Sequence, residues 1–210
     1  MDTLILKKKN EVYITVDCDP NIQREISEFF TFYVPGYKFM PAFRNRMWDG
    51  KIRLYSQKTK EIYFGLFPYI RAFAEERGYN IVSEEGVEVN NKVDKDVVKK
   101  FSNSLGQKFE ARDYQIDAIY HSLKFNRSLL LSPTASGKSF IIYSLIRYYT
   151  HLIKDTPNNR ILLIVPTTSL VEQMYSDFES YGWNVKKNCH KLYSGYSNQT
   201  DKKVLISTWQ

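Results

Sequence analysis

"LLLSPTASGKSFIIYSLI", residues Leu129 to Ile146, places small and polar residues between two apolar segments. The apolar residues at Ser128–Leu131 predict a buried strand, and those after the loop predict a helix from Lys138 to about Leu152. A strand, a small-residue loop, Gly-Lys-Ser and a helix predict a phosphate-binding loop. In such a loop, backbone N–H groups and a helix N-terminus face an anion.

The loop supplies candidate ligands for a triphosphate and for Mg²⁺. Lys138 can reach the β- and γ-phosphates of a nucleotide, and the hydroxyl of Ser139 can bind Mg²⁺, so these two residues are the catalytic candidates. The match to G-x-x-x-x-G-K-[ST] is partial, because Ser132 stands where the first glycine is expected. The other nucleotide-binding candidates in the loop are Pro133, Thr134, Ala135, Ser136 and Gly137.

A candidate for adenine recognition lies upstream of the loop. Gln115 precedes Lys138 by 23 residues on a helix predicted over Asp113–Leu123. A glutamine amide can donate to and accept from the N6/N7 edge of adenine, and Arg112 is placed to assist. The alternative for Gln115 is a solvated helix face.

Two further apolar strands end in polar residues. The segments "ILLIV" (161–165) and "VLIS" (204–207) predict buried strands of a parallel sheet. Sheets of this kind bind ligands at the carboxyl ends of their strands. The residues that follow are candidates for contacts with a DNA backbone. They are Pro166, Thr167, Thr168 and Thr208. Helix capping is the alternative for the threonines that precede a helix.

Basic residues are concentrated in the first half of the chain. The 210 residues carry a net charge of +7, and residues 38–60 contain seven basic residues against Asp49 alone. Such a segment favours a polyanionic partner. The candidates for DNA contact are Arg44, Arg46, Lys51 and Arg53, with Trp48 as a stacking residue. The alternatives are a solvated strand face for the arginines and, favoured for Trp48, a core aromatic that pins the turn.

The chain divides by pattern into two parts. We expect an α/β protein: a small α+β DNA-binding domain over residues 1–103, then a truncated RecA-like parallel sheet with helices on both faces over residues 104–210. Residues 84–96 are acidic and predict a linker or surface loop. The other predicted helices are 19–33, 66–77, 94–101 and 170–181, and the other predicted strands are 11–17, 79–83 and 184–187, with a hairpin of 51–56 and 61–65.

The motifs together resemble those of superfamily 2 helicases. "PTASGKS" is similar to motif I, with Ala135 where glycine is commoner, "RDYQ" to the adenine-recognising glutamine region, "VPTTSLVEQ" to motif Ia, and "STWQ" to the threonine-containing motif that follows. Their order and spacing fit over residues 110–210. The resemblance implies ATP and Mg²⁺ as cofactors.

The first half resembles one branch of these enzymes. "PGYKFMPAFRNRMWDGKIRLY" followed by "FGLFPYIRAFAEERGY" is similar to the N-terminal DNA-binding region of the UvsW recombination helicases of T-even-like bacteriophages. The resemblance implies ATP-dependent remodelling of forks, Holliday junctions and R-loops in phage recombination, repair and replication. It also implies single-stranded DNA, branched duplex DNA and RNA–DNA hybrids as partners, and a monomer in the host cytoplasm.

Several classes are disfavoured. No apolar run approaches the roughly 20 residues that span a bilayer, and two distant cysteines predict free thiols in a reducing compartment. Residues 171–210 contain no Asp-Glu pair after a buried strand, so we expect a fragment of an ATPase that does not hydrolyse ATP alone. The alternatives are another phosphate-loop ATPase and a non-catalytic DNA-binding module with a vestigial nucleotide loop.

Overall fold

The computed structural model describes residues 2–87 and 91–209 and divides into two compact units, Met1–Val89 and Asn90–Gln210. The structural division lies upstream of the predicted domain boundary between residues 103 and 104. The reason is the helix Lys95–Asn103, whose Val98 is 3% exposed and belongs to the core of the second unit. The middle of the predicted linker, residues 88–90, lies outside the described residues.

The first unit alternates short strands with helices. Its elements are β1 (Thr3–Lys8), β2 (Tyr13–Asp17), α1 (Pro20–Phe29), β3 (Thr31–Tyr33), a 3₁₀ helix (Tyr37–Phe39), α2 (Pro41–Arg44), β4 (Lys51–Arg53), β5 (Tyr55–Ser56), β6 (Glu61–Tyr63), a second 3₁₀ helix (Phe64–Leu66), α3 (Phe67–Arg77) and β7 (Asn80–Ser83). The strand order in the main sheet is β5-β6-β2-β1-β7, in which only the β1–β7 pair is parallel. The helix predicted at 66–77 and the strand at 79–83 are confirmed.

The core of the first unit lies under the central strands. Leu4 and Leu6 of β1 are fully buried, and they pack in one cluster with Ile26 of α1 and Phe73 of α3. Strand β1 is absent from the predicted elements, although it pairs on both sides. Its period is hidden in the sequence because Ile5, on the opposite face, is apolar as well.

Two predicted elements of the first unit differ from the structure. The helix predicted through residue 33 ends at Phe29, and β3 follows and pairs with β4 in a separate two-stranded sheet. The predicted strand 51–56 is therefore split, and only its last two residues form the expected hairpin with β6. The threonine and aromatic residues of β3 favour a strand over a helix. The hydrogen bond from Leu54 N–H to the carbonyl of Phe30, at 3.0 Å, adds to the contact between the two segments.

The second unit is an α/β arrangement. Its elements are α4 (Lys95–Asn103), α5 (Asp113–Phe125), α6 (Lys138–Leu152), β8 (Ile161–Val165), α7 (Thr168–Ser180), α8 (Val185–Asn188), β9 (Cys189–Leu192) and β10 (Val204–Thr208). The strand order is β8-β10-β9, and both pairs are parallel. The α/β class and the parallel sheet are thus confirmed.

The two faces of this sheet differ in burial. Val204 and Ile206 are fully buried in one core with residues of α5, α6 and α7. On the opposite face of β8, Leu162 and Ile164 are each 55% exposed. The buried helical side chains therefore gather on one face of the sheet.

Two predicted strands of the second unit are wrong. None of the residues Ser128–Leu131 lies in a strand, and Leu129 and Leu131 are 82% and 89% exposed. Strand β8 lies at the edge of the described sheet, and this apolar segment does not pair with it. The strand predicted at 184–187 is the short helix α8, because the Asn184 side chain caps it by accepting from Lys187 N–H at 3.0 Å.

No helix in the described ranges is long and apolar enough to cross a membrane.

Candidate nucleotide and DNA sites

The loop before α6 places a glycine where its backbone requires one. Gly137 caps the helix with φ 78°, in the left-handed region. A Cβ atom at this position would lie 2.4 Å from Nε2 of Gln115. Both the backbone angle and the close approach therefore favour glycine. The 15-residue helix begins at Lys138, so its N-terminal dipole points toward the loop.

The ammonium group of Lys138 folds back onto this loop. Its Nζ donates to the carbonyls of Ser132 at 3.1 Å and Pro133 at 2.8 Å. The hydroxyl of Ser136 also donates to Pro133 O at 2.8 Å, and it contacts the hydroxyl of Ser132. The positive charge thus lies at the loop, where a phosphate group can replace the two carbonyls as its partner.

Ala135, the departure from the helicase pattern, has an unusual backbone. Its φ is 64°, in the left-handed region that a Cβ atom disfavours. Glycine adopts this conformation without strain, which explains on physical grounds why glycine is suited to the position.

Gln115 connects α5 to the loop. Its side chain is 5% exposed, so the alternative of a solvated helix face is wrong. Its Oε1 accepts from the backbone N–H of Arg112 at 3.0 Å, and its Nε2 donates to the carbonyl of Ser136 at 3.1 Å. The amide that is the candidate for adenine binding is thus also bonded to the loop before α6.

Tyr114 is a site residue that sequence reasoning did not identify. Its hydroxyl donates to Ser136 O at 3.0 Å and accepts from a guanidinium nitrogen of Arg112 at 3.0 Å. Its ring is 45% exposed and lines, with Arg112, His121 and residues 129–136, a concavity of about 560 Å³. The available signal was its position inside "RDYQ", between the two candidates Arg112 and Gln115.

Ser139 lies half-buried at the first turn of α6. It faces Tyr181, which packs edge-on against Phe140 at 5.7 Å between ring centroids. Burial raises the pKa of Tyr181, and a hydrogen bond with Ser139 opposes that rise. In the described ranges, no group of three His, Cys, Asp or Glu side chains is placed to hold a metal ion.

The threonines at the sheet edge are brought together as predicted. Thr208 pairs with Val165, so Thr208 lies beside the start of the segment Pro166–Thr167 at the carboxyl edge. Thr167 caps α7, since its Oγ1 accepts from Leu170 N–H at 3.4 Å, and the capping alternative is confirmed for this residue. Thr168 is exposed at the first position of the helix.

The DNA-contact candidates of the first unit fall on two surfaces. Arg44, Arg46 and Trp48 line a concavity of about 600 Å³. Lys51 and Arg53 line another, of about 360 Å³. The fold therefore divides the predicted group between two neighbouring surfaces.

Three of these candidates already have partners within the unit. The Arg53 guanidinium pairs with Asp49 and holds the pKa of that carboxyl below its usual range. Lys51 Nζ lies 4.9 Å from the centroid of the Tyr33 ring. The half-buried Trp48 donates from Nε1 to the carbonyl of Lys51 at 2.9 Å, which ties it to the turn, but it lies outside the buried core of the unit, so the core position favoured for it is wrong.

Comparison with known proteins identifies both halves of the chain. Residues 4–84 match the family model described as DNA helicase UvsW, N-terminal, and residues 108–210 match that of the type III restriction enzyme, res subunit. The chain is 34% identical over 207 residues to the ATP-dependent DNA helicase uvsW of Enterobacteria phage T4. Two crystal structures of T4 UvsW superpose with a TM-score of 0.85 at 30% and 31% identity, and each covers 100% of this chain. The chain belongs to the UvsW helicase family.

Membership in the UvsW family confirms the resemblance that was drawn from the motifs. It also confirms the predicted α/β fold class. The match extends over 94% of this chain and 40% of the phage T4 relative, so the chain spans less than half of that relative's length. Of the two T4 UvsW crystal structures, it covers 75% and 43%.

Proposed function

We propose that the protein carrying this chain is an ATP-dependent DNA helicase that remodels branched DNA, namely forks, Holliday junctions and R-loops, in phage recombination, repair and replication. The observation that carries the proposal is the cradle at the start of α6. Gly137 has a left-handed backbone at the helix N-terminus, and Lys138 Nζ lies 2.8 Å from a loop carbonyl. A cradle of this kind suits the phosphates of a nucleotide.

The residues around the cradle suit ATP with Mg²⁺. Lys138 would contact the β- and γ-phosphates, and the hydroxyl of Ser139 would bind the metal ion, which supplies charge neutralisation at the phosphates. Gln115, assisted by Arg112, would bind adenine. Because the Gln115 amide also donates to Ser136 O, recognition of the base would be linked to the position of the loop.

The DNA contacts would involve both units. Arg44 and Arg46 offer exposed guanidinium groups to duplex or junction phosphates, with Lys51 and Arg53 on the neighbouring surface. At the sheet edge, Thr167, Thr168 and Thr208 would contact the backbone of one strand. RNA–DNA hybrids are included among the proposed partners, and the protein would act as a monomer in the host cytoplasm.

The chain alone would bind nucleotide without hydrolysing it. The lining of the concavity beside the loop contains Arg112 and His121 and no carboxylate. Hydrolysis in this class of ATPases uses acidic residues that hold the metal ion and an arginine that stabilises the transition state. The 210-residue chain should therefore show nucleotide affinity and no turnover.

The test is Lys138→Ala in the complete protein. Loss of the ammonium should lower the DNA-stimulated rate of ATP hydrolysis by about 100-fold or more, since the group stabilises charge at the transferred phosphate. Lys154→Ala, which removes an exposed lysine just beyond the end of α6, is the matched control and should leave the rate unchanged. Hydrolysis by Lys138→Ala at the unaltered rate would favour the alternative of a DNA-binding module with a vestigial loop.

A further inference from the structure

The concavity beside α2 combines cationic and apolar side chains. Its volume is about 600 Å³. Lys38, Arg44 and Arg46 supply the positive charges, and Phe43, Met47 and Trp48 supply the apolar surface. Asp49 is the remaining lining residue. We name this surface the α2 concavity.

The charges of the α2 concavity are available to a ligand. Arg44 and Arg46 form no ion pair within the described part of the chain, and both are exposed. The carboxylate of Asp49 is already bound to Arg53, which lies outside the concavity. The lining therefore attracts anions, and phosphate groups suit its guanidinium donors.

The backbone directs Met47 outward. Helix α2 ends with Arg46 N–H donating to Phe43 O and Met47 N–H donating to Ala42 O, both at 2.9 Å. This pattern usually places a glycine in the left-handed position and packs the next residue back on the helix. Here the left-handed residue is Arg46, with φ 56°, and the next residue, Met47, is 80% exposed. The turn thus holds a cation and an apolar side chain side by side at the surface.

The lining residue Phe43 is held by ring packing within the unit. The Tyr37 ring stacks on Tyr33 at 4.6 Å and meets Phe43 edge-on at 4.7 Å between centroids. A Cβ atom on Gly50 would lie 2.3 Å from the Tyr37 ring, so glycine permits this packing. With the Trp48 hydrogen bond to Lys51, these contacts fix the turn before any ligand arrives.

We infer that the α2 concavity binds one unpaired nucleotide of a DNA branch, with the base against Met47 and Trp48 and its phosphates on Arg44 and Arg46. A paired duplex would present phosphates but no base face to this surface, because stacking covers its base faces. An unpaired nucleotide offers both a base face and phosphates, and a side chain in contact with a base face stabilises binding. The inference rests on the proposed function, since it requires that this surface binds DNA.

The test measures the binding of the 210-residue chain to two DNAs of equal length by fluorescence anisotropy. One DNA is a fully paired duplex, and the other is a three-way junction with one unpaired nucleotide. Met47→Ala should weaken junction binding by roughly fivefold and leave duplex binding unchanged, and Met47→Trp should strengthen junction binding. Folding should be unaffected, because Met47 is 80% exposed. Tyr69→Ala is the matched control, because Tyr69 is 61% exposed on α3 and lies outside the concavity.

A second set of variants separates this inference from the proposed DNA surface. Joint charge reversal, Arg44→Glu with Arg46→Glu, should weaken binding of both DNAs and reduce the log–log salt slope by about 0.9 for each phosphate that the protein no longer neutralises. Arg24→Glu, at an exposed arginine of α1, is its control. If charge reversal weakens binding of both DNAs while Met47→Ala affects neither, the nucleotide site is overturned and the DNA surface stands. If charge reversal affects neither DNA, both ideas are wrong.

The variant Arg46→Gly tests whether weaker DNA binding could result from misfolding. The substitution removes the guanidinium and relieves the left-handed strain, so it should raise the midpoint of urea unfolding while it weakens binding of the junction. Unchanged junction binding by Arg46→Gly would remove Arg46 from the site and overturn the inference.

Discussion

Gly137→Ala should destabilise the second unit because one added methyl group disturbs two features at once. The alanine must keep φ near the present 78°, and its Cβ would lie 2.4 Å from Gln115 Nε2. The amide must therefore move, and it would lose its bonds to Arg112 N–H and Ser136 O.

The expected loss in the free energy of unfolding is the sum of three contributions. Left-handed backbone costs an alanine about 1–2 kcal/mol. Loss of the two hydrogen bonds costs about 1 kcal/mol each, if the amide finds no other partner. The lower entropy of the unfolded alanine chain offsets about 0.4–1 kcal/mol. We expect a net loss of about 3 kcal/mol in the free energy of unfolding. In a Gln115→Ala background the close approach is absent, so the same substitution should cost only about 1 kcal/mol.

The assay is urea unfolding followed by the fluorescence of Trp183, which is 9% exposed in the core of the second unit. Trp48 and Trp209 are replaced by phenylalanine so that they do not contribute. A double-mutant cycle over Gly137→Ala and Gln115→Ala then gives their coupling energy. Equal costs in the two backgrounds would refute the close approach, and a cost below about 0.5 kcal/mol would refute the left-handed backbone as well.

Two further predictions concern single residues of the same structure. Ala135→Gly should stabilise the second unit by about 0.5–1 kcal/mol, because φ 64° strains alanine and not glycine; destabilisation in the urea assay would contradict this. Burial raises the pKa of Cys18 to about 11 and that of Cys189 to about 12, so both thiols stay protonated at pH 8; the half-buried Cys18 should react slowly with an aromatic disulfide reagent, and the buried Cys189 only as the chain unfolds. Rapid stoichiometric labelling of the native chain would show that these thiols are accessible.

The long helices and the loop before α6 follow from local sequence. Both ends of the helix Lys138–Leu152 are predictable, because the loop, the glycine and the apolar run lie in one continuous segment. The helix Phe67–Arg77 ends at Gly78, which has the left-handed backbone that such an end requires. These features depend on residues close together in the chain.

Strand assignments are less predictable because a strand needs a partner. Ser128–Leu131 is as apolar as β8, yet it remains unpaired and exposed. Conversely, the residues of β3 continue the apolar pattern of the preceding helix, so the sequence predicts that the helix goes on. The partner strand β4 lies farther along the chain, after a 3₁₀ helix and α2. Hydrogen bonds between distant segments decide these elements, and a periodic pattern within one segment does not contain that information.

Local sequence is sufficient to identify the family, to place the candidate phosphate loop with Gly137 and Lys138 at the start of a helix, and to show the basic character of residues 38–60. Only the folded chain shows which of those basic residues share a surface, and only folding places Gln115 against the loop it holds. The physical reason is range: loop chemistry and helix capping act within a few residues, whereas a concavity is formed by side chains that folding brings together.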